Sequence, residues 1–294
     1  MKHIIRRIGL KCALLKVKHR YFTQDEELNA IASTKGTYDY LQRYDKDMPI
    51  KDMVCGKPTK IIWTCWLQGI EVAPPLIKHC LVSIQQYSDD YEVVILNQDN
   101  LHQYVTIPDY IQQKYHNGVI TPTHYSDIVR LFLLRDRGGI WIDATILLTG
   151  TLPSFVTDNP LFVFKTTPPV GKVVAANNFI ASCPNHPIIT KTLDILLRYW
   201  QAEDRLVSYS IFHLAFCIAT EHYPICWQQV PIVPSSIEYM LMNYLNLPFS
   251  KEQFKIICMT TTIHKLSYKS AQFHYDPNKE NTFYHHLITT TKLC

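Results

Sequence analysis

The chain of 294 residues is long enough to bury one large α/β core or two small ones, and its 47% hydrophobic, 18% charged composition excludes wholesale disorder. A net charge of only +4 gives no reason to expect a nucleic-acid partner. Nine cysteines, an odd number with no CxxC pair, exclude a disulfide scaffold or a zinc ribbon and point to a reducing compartment, the cytosol.

The first twenty residues, MKHIIRRIGLKCALLKVKHR, carry seven Lys/Arg and no acid, with Ile4, Ile5, Ile8, Leu14, Leu15 and Val17 between them. Two readings are open: a basic amphipathic helix lying on an anionic membrane surface, or a solvated helix packing its apolar side on the domain. Basic residues interrupt every apolar run, which makes a poor signal peptide. No stretch reaches the roughly 18–20 apolar residues of a membrane span. The chain is expected to be soluble or peripheral, with residues 1–56 as a helical extension.

At Lys57-Pro58-Thr59 the character changes. KIIWTCWLQG (60–69) has the β-branched and aromatic content of a buried strand. Pro74-Pro75 opens a helix in which Leu76, Ile77, Cys80 and Ile84 share a face, and YEVVILN (91–97) is a second strand. Strand, helix and strand within about forty residues predict a right-handed βαβ unit and a parallel sheet. Two short helices are expected over 99–118, punctuated by Pro108 and closed by Gly118. THYSDIVRLFLLRDRGG (123–139) predicts a helix capped by Thr123 or Ser126 and ended by Gly138. The strand IWI follows, and Asp143 sits at its carboxyl end, where ligands bind in open α/β sheets. The second half reads as helix-rich: 191–200, 209–220 and 236–246. No GxGxxG, GxxxxGK[ST] or HExxH occurs, so a dinucleotide site, a P-loop and a zincin are not expected.

Asp127 and Arg130 lie three apart on one helix face, and that helix feeds directly into the strand that presents Asp143. An arginine there can hold phosphate, one carboxylate can accept from sugar or ribose hydroxyls, and another can hold a divalent cation on a diphosphate. On spacing alone, a structural Asp–Arg pair and a strand-ending Asp is the better reading. His213 inside an apolar helix reads as a core histidine, most of the second-half aromatics as core, and Cys65 as packing.

The run SDIVRLFLLRDRGGIWIDAT, with IIWTCWLQG before it and NNFIASCPNHPI (177–188) and IHKLSYK (263–269) after it, resembles bacterial capsular polysaccharide synthesis proteins. These are similar to glycosyltransferase family 32, and the likeness spans about Lys57 to Lys269. It implies a GT-A-like, Rossmann-type, mostly parallel sheet flanked by helices, with a donor-binding half at 57–150 and an acceptor-side half at 151–290. It also implies transfer of a sugar from a UDP- or GDP-sugar to a saccharide or lipid-linked saccharide, in capsule, lipopolysaccharide or other surface glycan synthesis. The setting would be cytoplasmic, or peripheral on the inner membrane face.

Residue by residue, the resemblance puts Trp63 or Trp66 at the nucleotide base, and Asp127 and Arg130 on the donor's sugar and phosphates. Asn178 and Ser182 fall on a donor- or acceptor-side segment; Arg130 and Lys265 are candidates, beside a metal ion, to stabilise the departing diphosphate. Asp143 matches the first Asp of an Asp-X-Asp element whose second Asp is here Thr145. Mn²⁺ or Mg²⁺ held by Asp143, Thr145 and His264, with diphosphate oxygens completing the shell, is the expected cofactor. The relatives retain anomeric configuration; an inverting enzyme would need a base, for which Asp194, Glu203 and Asp204 are candidates. A non-catalytic binding protein with a degenerate Asp-X-Asp site, or a phosphate-transferring enzyme, are the other readings.

Overall fold

A computed structural model describes residues 26–47 and 56–290. The basic segment 1–20 read above as a helix lies outside the described residues. Helix α1 (Glu26–Leu41) begins the described chain.

The expected βαβ unit forms from β1 (Ile61–Cys65), α2 (Pro75–Gln86) and β2 (Glu92–Leu96), with Ile61 through Cys65 paired in parallel to Glu92 through Leu96. A 3-10 turn at Leu101–Gln103 and helix α3 (Asp109–His116) follow. Helix α4 (Pro122–Asp136) starts earlier than a cap at Thr123 or Ser126 would allow. Its cap is Thr121, whose hydroxyl accepts from the His124 amide at 3.3 Å; Pro122 at the first helical position has its φ already set and no N–H to satisfy. Gly138, at φ +67°, ends the helix as expected. Strand β3 (Gly139–Ile142) then runs parallel to β1, pairing Ile140 with Ile62 and Trp141 with Trp63.

Beyond β3 come β4 (Ile146–Leu148), the short α5 (Ser154–Thr157), and two ten-residue strands for which the sequence offers no clear alternation, β5 (Leu161–Val170) and β6 (Val173–Ser182). β6 runs antiparallel to β3, setting Phe179 against Ile142 and Ser182 against Gly139. The sheet order is β2-β1-β3-β6-β5, and four of its five strands point the same way, with β6 the exception. This is the mostly parallel sheet expected.

The remainder is helical: α6 (Pro187–Ala202), α7 (Ile211–His222), α8 (Pro224–Gln229), α9 (Lys251–Thr260) and α10 (Phe283–Thr289), with β7 (Ile263–Lys265) between the last two. β7 pairs antiparallel with β4 as a separate two-stranded sheet. The helix expected at 236–246 does not form. Two 3-10 turns, Ser235–Ile237 and Leu241–Tyr244, replace it, because the Glu238 carbonyl is taken by the Lys265 amide at 2.7 Å and cannot serve an α-helical ladder.

Both faces of the main sheet are covered. Trp63, Trp141 and Ile180 face α4, α6 and α7, while Ile62, Ile140, Ile142 and Phe179 face α2. The α1 end of the extension is not a free arm: Tyr38 donates to Glu221 of α7, and Asp45 pairs with the buried Lys191 of α6 at 2.5 Å. No helix among the described residues is long and apolar enough to cross a membrane.

Gly139 is where β3 admits no side chain. Its φ is +97°, and a Cβ there would lie 2.5 Å from the Ile61 carbonyl oxygen. Gly139→Ala is expected to lower stability by about 2–4 kcal/mol, from left-handed strain and overpacking together. Urea unfolding would show a lower midpoint at unchanged slope; an unmoved midpoint would refute the constraint.

Candidate active site

The carboxyl end of β3 opens into a cavity of about 230 Å³. Asp127 and Arg130 of α4, Asp143 after β3, Asn177 and Asn178 of β6, and Lys265 of β7 supply its polar wall; Tyr209, His213 and Tyr239 close the other side. Five of the residues expected from sequence therefore meet: Asp127, Arg130, Asp143, Asn178 and Lys265.

Arg130 is the centre of this wall. The residue is 3% exposed, and its guanidinium bridges Asp127 Oδ1 at 3.1 Å and Asp143 Oδ1 at 3.2 Å, while a further N–H donates to the Asn177 carbonyl. The cation also lies 4.9 Å from the centroid of the Trp141 ring. Asp127 receives a second donor, the Asn177 side-chain amide at 3.0 Å. Behind it, the Trp200 indole donates to His124 Nε2 at 2.9 Å, so the proton of the neutral ring resides on Nδ1, 3.3 Å from Asp127 Oδ2. A chain of hydrogen bonds from α6 thus fixes the carboxylate that fixes the arginine.

Asp143 has both oxygens engaged. Trp141, two residues back on the same strand face, donates to Oδ1 at 2.8 Å, and the Lys265 ammonium lies 3.2 Å from Oδ2. Lys265 also donates to the Thr145 hydroxyl. Burial alone would push the Asp143 carboxyl up, but the charges of Arg130 and Lys265, with the Trp141 and Lys265 hydrogen bonds, hold it below the ordinary carboxylate range.

Five expected residues are not in the cavity wall, among them Thr145, whose hydroxyl accepts from Lys265. Trp63 is 1% exposed, its indole spent on the Gly138 carbonyl at 2.9 Å, because the strand period turns it into the core. Trp66, just past β1, is half-buried and packs edge-on against Tyr268. Ser182 is fully buried opposite Gly139, at the far end of β3; the antiparallel course of β6 puts it roughly 13 Å along the strand from Asp143. His264 is fully buried, with Nε2 2.9 Å from Thr149 Oγ1, and burial pushes its pKa down to about 4. Adjacent strand residues face opposite ways, so Lys265 enters the site and His264 leaves it.

The metal-binding set Asp143, Thr145 and His264 is therefore not assembled, and the donors present do not fit a divalent cation. Thr145 holds Lys265, Asp143 is shared by two side-chain cations, and among the described residues no group of three or more His, Cys, Asp or Glu could hold a metal. The candidate bases lie elsewhere: Asp194 pairs with Arg198, Glu203 accepts from Tyr40 and Tyr44, and Asp204 is exposed and paired with Lys114.

Two residues that sequence reasoning passed over belong here. His213, read as core, lines the cavity. Its Nδ1 faces the Ala175 carbonyl at 3.0 Å and must donate, and burial holds the ring neutral, leaving Nε2 as an acceptor. Glu238 is fully buried; its Oε2 accepts from the Asn178 amide at 2.8 Å, and its backbone carbonyl holds Lys265. Only the polar residue in a run otherwise rich in Tyr, Met and Leu could have signalled it.

A hollow of about 300 Å³ adjoins the carboxyl ends of β1 and β2, lined by Leu67, Gln98, Ile107, Gln112, Tyr115 and Tyr125 among others. Helix α4 links it to the charged cavity, since Tyr125 lines the one and Asp127 and Arg130 the other.

A mostly parallel α/β sheet with a charged cavity at its strand ends defines a class of ligand-binding α/β proteins. Within it, the chain belongs to the capsular polysaccharide synthesis protein family, whose model matches residues 17–287. It is also similar to O-glycosyltransferase braB of Annulohypoxylon truncatum, 28% identical over 160 residues. That match covers 48% of this chain, and the chain spans about two fifths (38%) of the relative's length. Among solved structures, PaToxG Glycosyltransferase is similar at 16% identity and a TM-score of 0.40, over 89% of this chain and 94% of that one.

Burial pushes the Glu238 carboxyl up to about 8, helped by Asp143 and opposed by the Asn178 amide and Lys265. The folded protein keeps this proton to about pH 8, whereas the unfolded chain releases it near 4.5, so the folded state binds more protons in that window. Stability from the neutral carboxyl is complete below 4.5 and is lost as pH rises through 8. Urea unfolding across this range should show a falling stability that Glu238→Gln flattens; parallel profiles would show that the carboxyl is ionised.

Proposed function

We propose that this protein is a glycosyltransferase of GT-A type, moving a sugar from a UDP- or GDP-sugar to a hydroxyl of a saccharide in surface glycan synthesis. The observation that carries this reading is the pair of side-chain cations, Arg130 and Lys265, fixed on Asp143 at the strand ends. Family membership and the similarity to a named O-glycosyltransferase support it.

In this reading the base occupies the hollow between Leu67, Gln98 and Tyr115, a position the lining favours over Trp63, and the diphosphate crosses α4 into the charged cavity. Asp127 and Asp143 accept from donor hydroxyls on whatever lone pairs the cations leave free. The barrier is departure of an anionic diphosphate from the anomeric carbon. Fixed positive charge on the buried Arg130 and largely buried Lys265 stabilises that departure, and needs no reorganisation as the bond breaks. The anomeric C–O bond breaks with its electron pair on the diphosphate, the acceptor oxygen bonds to that carbon, and the acceptor's proton leaves with the diphosphate. Tyr209, His213 and Tyr239 form the acceptor side, where His213 Nε2 can orient a hydroxyl without carrying charge.

Calorimetric titration should find UDP or GDP binding, and donor hydrolysis should follow with one of a panel of matching sugar nucleotides. Asp143→Asn keeps both cations but loosens them. It should reduce turnover by about 10²–10³, the usual cost of a misplaced charge-stabilising donor, while nucleotide affinity changes less than about tenfold. Binding of neither nucleotide by a folded protein would overturn the reading.

Transfer proceeds with retention, supported by the absence of an unpaired carboxylate among the described residues lining the cavity. Product NMR should find the donor's anomeric configuration preserved; an inverted product would make His213 the base instead.

A further inference from the structure

The Asp-X-Asp element lacks its second carboxylate, and the residue in the vacated place is not idle. Thr145 accepts from the Lys265 ammonium, which also lies 3.2 Å from Asp143 Oδ2. The amine therefore touches side-chain oxygens of the first and third residues of the element, the two positions from which a pair of carboxylates would grip a dication.

A strand pairing and two backbone bonds hold it there. β4 and β7 pair Ile146 with Lys265, the Leu266 amide donates to the Thr145 carbonyl at 2.9 Å, and the Lys265 amide donates to the Glu238 carbonyl at 2.7 Å. The lysine side chain is 18% exposed, and it lines the cavity. An ammonium has three donors, of which Asp143 and Thr145 take two, so one N–H remains for a phosphate oxygen.

The charges match as well. Two carboxylates and a dication sum to zero, and so do one carboxylate and one ammonium. Replacing Asp by Thr at 145 removes one negative charge, and replacing a dication by lysine removes one positive charge. An Asp at 145 would leave an excess of negative charge around a single ammonium where an anion must bind. Thr145 and Lys265 are thus complementary, and neither is a defect on its own.

We propose that the Lys265 ammonium, held between Asp143 and Thr145, is the resident cation of the donor site and binds the diphosphate in place of a divalent metal ion. This rests on the nucleotide-sugar reading above, and the experiment separates the two. UDP and GDP are titrated into the full chain in EDTA and again in Mn²⁺, for wild type, Lys265→Met, and a Thr145→Asp/Lys265→Ala double variant, each checked for folding by thermal unfolding. Mn²⁺ binding is followed independently by electron paramagnetic resonance.

The wild type should bind its nucleotide with the same affinity, within about twofold, in EDTA and in Mn²⁺. Lys265→Met should weaken binding in EDTA by about tenfold or more, the scale of one charge-assisted hydrogen bond. The double variant should bind Mn²⁺ and become metal-dependent for nucleotide. Wild-type affinity that collapses in EDTA and returns with Mn²⁺ would overturn the proposal while leaving the donor site intact. So would a Lys265→Met variant that folds and binds as wild type does. No nucleotide binding under either condition would instead sink the donor-site reading, and this proposal with it.

Discussion

A buried guanidinium decides how this molecule is built. Taking a charge out of water costs several kcal/mol even after relaxation, and only well-placed opposite charge and hydrogen bonds offset it. Arg130 obtains these from three elements: Asp127 one turn earlier on α4, Asp143 at the tip of β3, and the Asn177 carbonyl on β6. The elements must sit where the arginine needs them, so site and scaffold are a single constraint. The His124–Trp200 relay extends it to α6, which would otherwise have no polar stake in the crevice.

The reversal of β6 has a functional consequence. Next to a parallel pair, an antiparallel strand brings its early residues to the carboxyl end of its neighbour. The Asn178 carbonyl accepts the Asp143 amide at 2.9 Å, so β6 restrains the loop that carries the carboxylate. The same strand sends Asn177 to Asp127 and Asn178 to Glu238, using successive residues on opposite faces. Glu238 in turn holds Lys265 through its backbone. The long hairpin therefore links the arginine half of the site to the lysine half, and the cavity cannot form from residues 57–150 alone.

Sequence legibility follows contact range. Asp127, Arg130 and Asp143 could be associated because one helix, one turn and one strand connect them within seventeen residues. The βαβ unit was readable for the same reason. Ser182 was misplaced because nothing local states which way β6 runs, and four residues along a strand separate it from the site. Trp63 and Trp66 could not be ranked until the strand period was anchored, which turned Trp63 inward. His213 and Glu238 are polar residues in apolar company, and that pattern describes a satisfied core residue equally well. Only the long-range packing of α7 and of the turns before α9 distinguishes them.

The question left by Asp-Ala-Thr is one of electrostatics more than ancestry. A dication is exchangeable: its occupancy depends on ion concentration, and its ligands must be free to close around it. An ammonium on a β-strand is always present, but it is a weaker centre of charge and needs neighbours that do not neutralise it twice over. Thr145 meets that need, since a hydroxyl accepts a hydrogen bond without adding charge. Asp143 is shared with Arg130, so neither cation is fully cancelled by it. The neutral Glu238 beside Lys265 keeps a second carboxylate from draining the same field. These three features are each unremarkable alone; together they leave two cations turned toward one cavity, balanced by Asp127 and Asp143 and by no third carboxylate charge.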